Sequence, residues 1–446
     1  MIVNNSSTYR KTEIISSRQF AWMTIILILG GGNFIPTVNY NIVMQDTWLT
    51  QISGFIYVIL IALFFSFLAQ KYPQKNIFNI IFEVTGSFWG SILNSILILF
   101  FTSIFLREMY STGIYFQSTV LLNTPIEVLV FITAILIIYF GHMSFENVMR
   151  CNEMYAPFAI LTSLLLPILL FNEFSFDLLR PVLATDAVDF LRSSVINMGL
   201  YGDLIVLGAF LHMLGPPEKI HSSIRSGGIF GIAVLILLIV VVTAVFGYVM
   251  ATRLSLSYYA AIQLIHVSDF FDRLDIVIYS TWLPSNILKI IFIYFAILYG
   301  IGSFTKQEIR PVLNRGIGLM LFFISIIAYD SVLEVYNLAV FGGVFHVVFV
   351  HGVVVIPLLI ILLLKAKKAK KKKTKQKKQH ATYTKWVWMT NSLIFLCLVF
   401  LGIGFIWAER YYFVGIICGV CFVLTVILST YTSWMETKKT PQQKKV

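Results

Sequence analysis

Charge is scarce in this chain. Only 12% of its 446 residues are Asp, Glu, Lys or Arg, against 58% hydrophobic residues and a mean hydropathy of +0.85. A soluble domain carries about a quarter of its residues charged, so the composition excludes a water-soluble globule and points to an integral membrane protein. Cysteine is rare too. Cys151, Cys397, Cys418 and Cys421 make no disulfide framework, and the CxxC spacing of Cys418 and Cys421 lacks a second ligand pair, so both read as packing residues. The seven histidines do not cluster. His346 and His351 are five apart, on different helical faces, and read as buried polar contacts rather than a metal pair. GxSxG, HExxH and Walker-type loops are missing, so neither an enzyme nor a cofactor is expected. Residues 1–18 have no short apolar stretch before a small-residue cleavage site, so no cleavable signal peptide is expected.

What the chain has is apolar runs of membrane-spanning length, about 20 residues each. Twelve are read, near 19–43, 48–70, 88–118, 126–143, 153–171, 194–214, 227–250, 276–303, 315–330, 338–364, 386–408 and 412–433. The long third and eighth are expected to tilt or carry turns outside the membrane. The net charge of +12 reads as topological, with no nucleic-acid partner. With the N-terminus inside, the inner side holds Arg10, Lys11, Arg18, Lys71, Lys75, Arg150, Lys219, Arg225, Lys306, Arg310, Arg315, the run from Lys365 to Lys385 and the tail lysines. The outer side holds only Arg180, Arg192, Arg253, Arg273 and Arg410. That bias places both termini in the cytoplasm. Trp48, Trp386 and Trp388 read as interfacial belt residues.

The first segment is interrupted at mid-depth by Gly30-Gly31-Gly32-Asn33 and Pro36, the sixth near Asn197-Met198-Gly199 and Gly202. Ten segments precede the lysine run, and two sets of five enter the membrane from opposite sides. The breaks then fall on the first helix of each set, where an inverted-repeat transporter places its binding site. The expected fold is therefore an all-α polytopic membrane protein with a 5+5 inverted repeat, broken first and sixth helices, and two additional C-terminal transmembrane helices. The expected division is 1–18 cytoplasmic segment, 19–364 core, 365–385 lysine linker, 386–433 extra helices and 434–446 tail. Ile77, Ile80, Ile81 and Val84 suggest an amphipathic helix at the inner surface. Outer loops 172–193 and 251–275 suggest short helices over an outer vestibule. The lysine run reads as a topology signal and lipid anchor, or as a docking site for another protein. Gly415 and Gly419 form a GxxxG face, open to internal packing or dimerisation.

Several residues carry the candidate chemistry. A half-helix resuming at Asn33-Phe34 turns its positive N-terminal end toward mid-membrane, and Gly30, Gly31 and Gly32 leave backbone open to a ligand carboxylate or to a neighbouring helix. Gly199, Tyr201 and Gly202 line the second break. Asp203 is either the N-cap of the resumed half-helix or a counter-ion for a ligand ammonium or proton. Arg107, Glu108 and Lys289 are charges inside apolar segments, whose cost demands burial and pairing. Arg107 and Glu108 point about 100° apart and cannot fully neutralise each other. A network of Arg107, Glu108, Lys289 and Asp203 joining the third, sixth and eighth helices is expected, as a static strut or as a switch.

In its order of motifs the chain resembles the spore-permease family, the B subunits of bacterial spore germinant receptors, within the amino acid–polyamine–organocation transporter superfamily. The resembling residues are Ile15-Ser16-Ser17-Arg18-Gln19 leading to the glycine break and Pro36, then Tyr72-Pro73, Phe82-Glu83, Gly86 and Gly90. Tyr201-Gly202-Asp203 and Gly215-Pro216-Pro217 complete the set, over about residues 12–364. The resemblance implies a ligand pocket between the first, third, sixth and eighth helices, walled by Arg107–Gly113 and Lys289–Tyr294, with Tyr294 in the wall. It implies a small nutrient ligand (amino acid, sugar or nucleoside), partner A and C subunits, membrane lipid contact and the spore inner membrane. An amino-acid permease using the same pocket is the alternative. The two extra helices depart from family members that end after ten, and residues 153–171 lack the lysine that many proton-coupled relatives carry there.

Overall fold

A computed structural model of the chain describes residues 13–30, 35–215, 217–254, 256–265, 274–305, 310–369, 381–408 and 410–439. Gly31, Gly32 and Asn33 of the first break, Asp269 and Asp272 of the second outer loop, and most of the lysine run lie outside the described residues. Within them the chain is helical and has no strand. An isolated parallel bridge joins Ile15 to Leu214, where the chain entering the first segment meets the end of the sixth.

The first segment is split into α1 (Ser17–Leu29) and α2 (Ile35–Val43). Ser16 starts α1 through a capping box. Its hydroxyl accepts the Gln19 amide at 3.1 Å while the Gln19 side chain accepts the Ser16 amide at 2.9 Å, satisfying two otherwise orphaned donors. The chain bends at Met44 (φ 52°) into a 3-10 turn over Met44–Gln51 and then α3 (Ile52–Lys71). α4 (Ile77–Thr119) is kinked at Gly86 (φ 82°), a conformation glycine adopts without a Cβ penalty. α5 (Ile126–Gly141) and α6 (Phe145–Leu169) close the first set.

The second set opens with α7 (Ala187–Ile196) and the single turn α8 (Met198–Tyr201), wound on as 3-10 helix over Gly202–Met213. The sixth segment is thus interrupted by a change of winding rather than by a gap, since Asn197, Tyr201 and Gly202 all keep right-handed helical backbones. A 3-10 stretch this long is unusual and marks a strained or functional segment. α9 (Glu218–Ala251), α10 (Ser257–Gln263), α11 (Leu274–Gly302) and α12 (Arg310–Ile327) follow. The tenth segment runs through α13 (Val332–Asn337), α14 (Gly343–Val350) and α15 (Ile356–Ala369), joined by π-turns at Leu338–Gly342 and His351–Val355. The C-terminal pair is α16 (Ala381–Trp407) and α17 (Tyr412–Lys439). Among the described residues nine helices are long and apolar enough to cross a membrane, with three shorter apolar helices, Ser17–Leu29, Ile126–Gly141 and Leu313–Ile327.

Two expectations are corrected by burial. Ile77, Ile80, Ile81 and Val84 do share one face of a helix, but that face packs into the protein core instead of lying on lipid. Trp48 is buried as well, edge-on to Phe422 of α17 at 5.6 Å, so it is a packing residue and not part of an interfacial belt. Loops 172–193 and 251–275 do carry short helices, at Phe171–Glu173, Phe176–Leu179 and in α10.

The C-terminal pair packs on α9 and on a strap, residues 181–185. Asp46, in the turn after α2, holds that strap. Its carboxylate accepts the amides of Leu183 (2.8 Å) and Ala184 (3.0 Å) and the Thr185 hydroxyl (2.9 Å). The GxxxG face seats on the other side of the strap. A Cβ on Gly415 would stand 2.5 Å from the Val182 carbonyl oxygen, so the motif serves internal packing. Gly415→Leu is therefore expected to push α17 off the strap and lower the melting temperature of the purified protein. An unchanged melt would mean this contact is not formed.

Candidate ligand site

Four buried ionic side chains meet where α4, the sixth segment and α11 converge. Arg107 Nη2 donates to Glu108 Oε1 at 2.8 Å and to Asp203 Oδ2 at 2.7 Å. Lys289 Nζ lies 3.0 Å from Glu108 Oε1 and 2.8 Å from Asp203 Oδ2. Each cation touches both carboxylates, so the quartet closes on itself with no net charge. Burying four charges costs several kcal/mol per ion, repaid only by geometry of this kind. Arg107 and Glu108 do reach each other despite their angular offset, because the guanidinium is long and carries five donors. It still needs Asp203, as the 100° argument requires. Asp203 is the second residue of the 3-10 segment, which has Tyr201 at its N-cap, and its Oδ1 has no hydrogen-bond partner. The structure therefore does not place Asp203 at an N-cap, and its carboxylate is paired with the protein cations Arg107 and Lys289.

The quartet adjoins the first break. α1 ends at Leu29, with Gly30 donating its amide to Ile26, and the stem of Lys289 lies against Gly30. A Cβ there would stand 3.0 Å from Lys289 Cδ and 3.2 Å from its Cβ. Gly30→Val is accordingly expected to displace the lysine from its carboxylates and lower the melting temperature. A variant that melts like the parent would place Lys289 elsewhere.

The glycines of the sixth segment face protein. A Cβ on Gly202 would fall 2.1 Å from Val347 of α14, and one on Gly199 would fall 3.3 Å from the Val344 amide. Both let the tenth segment approach closely. Tyr201 lies flat on Gly54 of α3, and its hydroxyl donates to Gln51 Oε1 at 2.5 Å. Tyr294 stands apart from the quartet. Its hydroxyl donates to the Asn314 carbonyl (2.5 Å) and side-chain oxygen (2.7 Å) on α12 and not to a member of the quartet.

Several site residues were not anticipated. One turn from Lys289, Asn286 Nδ2 donates to Thr112 Oγ1 at 2.8 Å. The Thr112 hydroxyl is itself committed to the Glu108 carbonyl at 2.7 Å, which fixes the amide's orientation. Glu108 thus pairs with Lys289 and Thr112 with Asn286, the register of two antiparallel helices. Asn286 Oδ1 and Asp203 Oδ1 are left buried without a partner. Around the breaks, Asn39 donates to Asn197 (2.7 Å), and Asn197 donates to the Thr50 hydroxyl (3.0 Å) and carbonyl (3.1 Å). This chain fastens α2 to the sixth segment and to the turn before α3. His351 Nδ1 lies 2.6 Å from the Val347 carbonyl, which can only accept, so Nε2 accepts the Tyr57 hydroxyl at 3.1 Å. Polar side chains inside apolar segments were the available signal for all of these. Among the described residues no group of three or more His, Cys, Asp or Glu could hold a metal ion.

Comparison with known proteins places this architecture. The model of the spore germination protein family matches residues 14–333. The chain belongs to that family. Among its relatives in Bacillus subtilis (strain 168), the putative spore germination protein YfkT is 27% identical over 285 residues, covering 62% of this chain and 75% of the relative. Spore germination protein KB is 22% identical over 318 residues, 70% of this chain and 84% of the relative. In fold the chain is similar to Mhp1, a nucleobase-cation-symport-1 family transporter, with a TM-score of 0.57 at 10% identity over 98% of this chain and 96% of that one. It is also similar to the Eremococcus coleocola manganese transporter, with a TM-score of 0.54 at 12% identity over 98% and 97%. The C-terminal pair therefore lies outside the family match but inside the structural one. Fold and family describe a multi-pass membrane protein of permease or receptor type.

Proposed function

We propose that this chain is the membrane-embedded sensing subunit of a spore germination receptor. It binds a small nutrient, an amino acid, sugar or nucleoside, at mid-membrane and passes occupancy to A- and C-type partner subunits in the spore inner membrane, with both termini cytoplasmic. The observation that carries this reading is the closed quartet beside the first break, in a chain of this family. Gly30 to Asn33, with Gly31 and Gly32 between them, and Asp203 are its principal ligand contacts. Gly199, Tyr201 and Gly202, which face α14 and α3, set the shape behind them. The unpartnered oxygens of Asp203 and Asn286 suit a ligand that brings hydrogen-bond donors. Because the quartet is neutral, a neutral or zwitterionic solute enters at less cost than a net ion. A ligand shifts a conformational equilibrium only through different affinities for its two states, and the quartet supplies a difference. Asp203 is its sole member from the sixth segment, so a ligand that engages Asp203 competes with the contacts to α4 and α11.

The likeness to Mhp1 over nearly the whole chain, C-terminal pair included, supports a second reading as a permease. Germination of spores lacking the gene, across a panel of amino acids, sugars and nucleosides, separates the two. Loss of response to one nutrient, restored by the gene, is the expected result. Unchanged germination overturns the sensor and makes radiolabelled uptake the deciding assay.

A further inference from the structure

We propose that the groove between α16 and α17 is a binding site for one anionic phospholipid of the inner leaflet. The groove, about 760 Å³, is lined by Lys385, Trp386, Trp388, Leu393, Leu428 and Tyr431 among others. Its composition changes along its length. At one end sit a lysine and three aromatic side chains with polar edges, the residues that settle at headgroup depth. Further along α16 the floor is Leu393 with Leu428 opposite, an apolar bed for an acyl chain.

The charge around the mouth has one sign. Lys438 lies over the Trp434 ring at 3.7 Å, and that ring is 6.2 Å from Tyr431. The sole acidic residue of the two helices is Glu436, and its carboxylate is fully buried against Arg225 of α9. The basic run from Lys365 precedes α16 in the sequence. Among the described residues neither Lys385 nor Lys438, both exposed, pairs with a carboxylate. A phosphodiester at headgroup depth supplies the missing charge, and its acyl chain covers the exposed Leu428 and the half-buried Leu393. A free phosphate would satisfy only the first of these needs.

The test uses the full chain purified in detergent and reconstituted in nanodiscs of dioleoyl phosphatidylglycerol and dioleoyl phosphatidylcholine, which share acyl chains. Native mass spectrometry counts the lipid retained. One phosphatidylglycerol held in preference to phosphatidylcholine is expected, not displaced by glycerol 3-phosphate. Lys385→Gln and Lys438→Gln should each weaken retention about fivefold. Ser392→Trp, which fills the groove and leaves both lysines in place, should abolish it while the protein still elutes and melts like the parent. Equal retention of phosphatidylcholine, displacement by glycerol 3-phosphate, retention unchanged in Ser392→Trp, or a dimer that shields this face would each overturn the assignment.

Discussion

Asp203→Ala is expected to cost about 3–5 kcal/mol of stability, the usual penalty for removing one partner of a buried ion pair, and to abolish the response to ligand. The loss follows from the count of charges. Arg107 and Lys289 would share Glu108 alone, leaving one buried positive charge without compensation. A thermal melt in detergent measures the first effect and nutrient-triggered germination the second. Restoring neutrality separates them. Asp203→Asn combined with Lys289→Met brings the net charge back to zero, and the double variant should recover much of the stability because the strongest term was the unpaired charge. Response should stay lost, since the Asp203 carboxylate and the Lys289 ammonium that pairs with it are both gone. A single Asp203→Ala variant that melts like the parent would refute the quartet.

Glu436→Ala should be as damaging, at the other side of the molecule. Arg225 is fully buried, pairs with Glu436, and donates to Asn391 at 2.8 Å. Without the carboxylate Arg225 loses this buried ion pair, at about 3–5 kcal/mol, and the pair α16–α17 is expected to come away from α9. Limited trypsin digestion reads this directly as faster separation of the C-terminal fragment, with the melt as a second measure. An apolar pair of similar volume, Arg225→Met with Glu436→Leu, should restore docking, because buried ion pairs often exchange for hydrophobic contacts at little cost. Equal digestion rates for Glu436→Ala and parent would mean the C-terminal pair is held elsewhere, by the strap alone.

The fold was legible because lipid leaves the backbone few choices. Twelve apolar runs read as twelve segments, and the first break falls between the end of α1 at Leu29 and the start of α2 at Ile35. Membership of the quartet was legible for the same reason. Arg107, Glu108, Lys289 and Asp203 are expensive in hydrocarbon, and few partners were available to them. Rotation about each helix axis was not legible. Lys289 and Tyr294 are five residues apart, and that offset turns one toward Asp203 and the other toward Asn314. Arg225, one of the cations counted toward the inner side, is buried in the docking of α17. Nothing in a single sequence distinguishes a lysine or arginine that faces headgroups from one that has found a distant glutamate.

The closed quartet has an electrical consequence. A membrane potential of 100 mV does about 2.3 kcal/mol of work on each elementary charge carried across it. It does none on two cations and two carboxylates that shift together. A site built around this square answers to the shape and donors of what enters it, and voltage gains a grip only through a charge that the ligand itself brings.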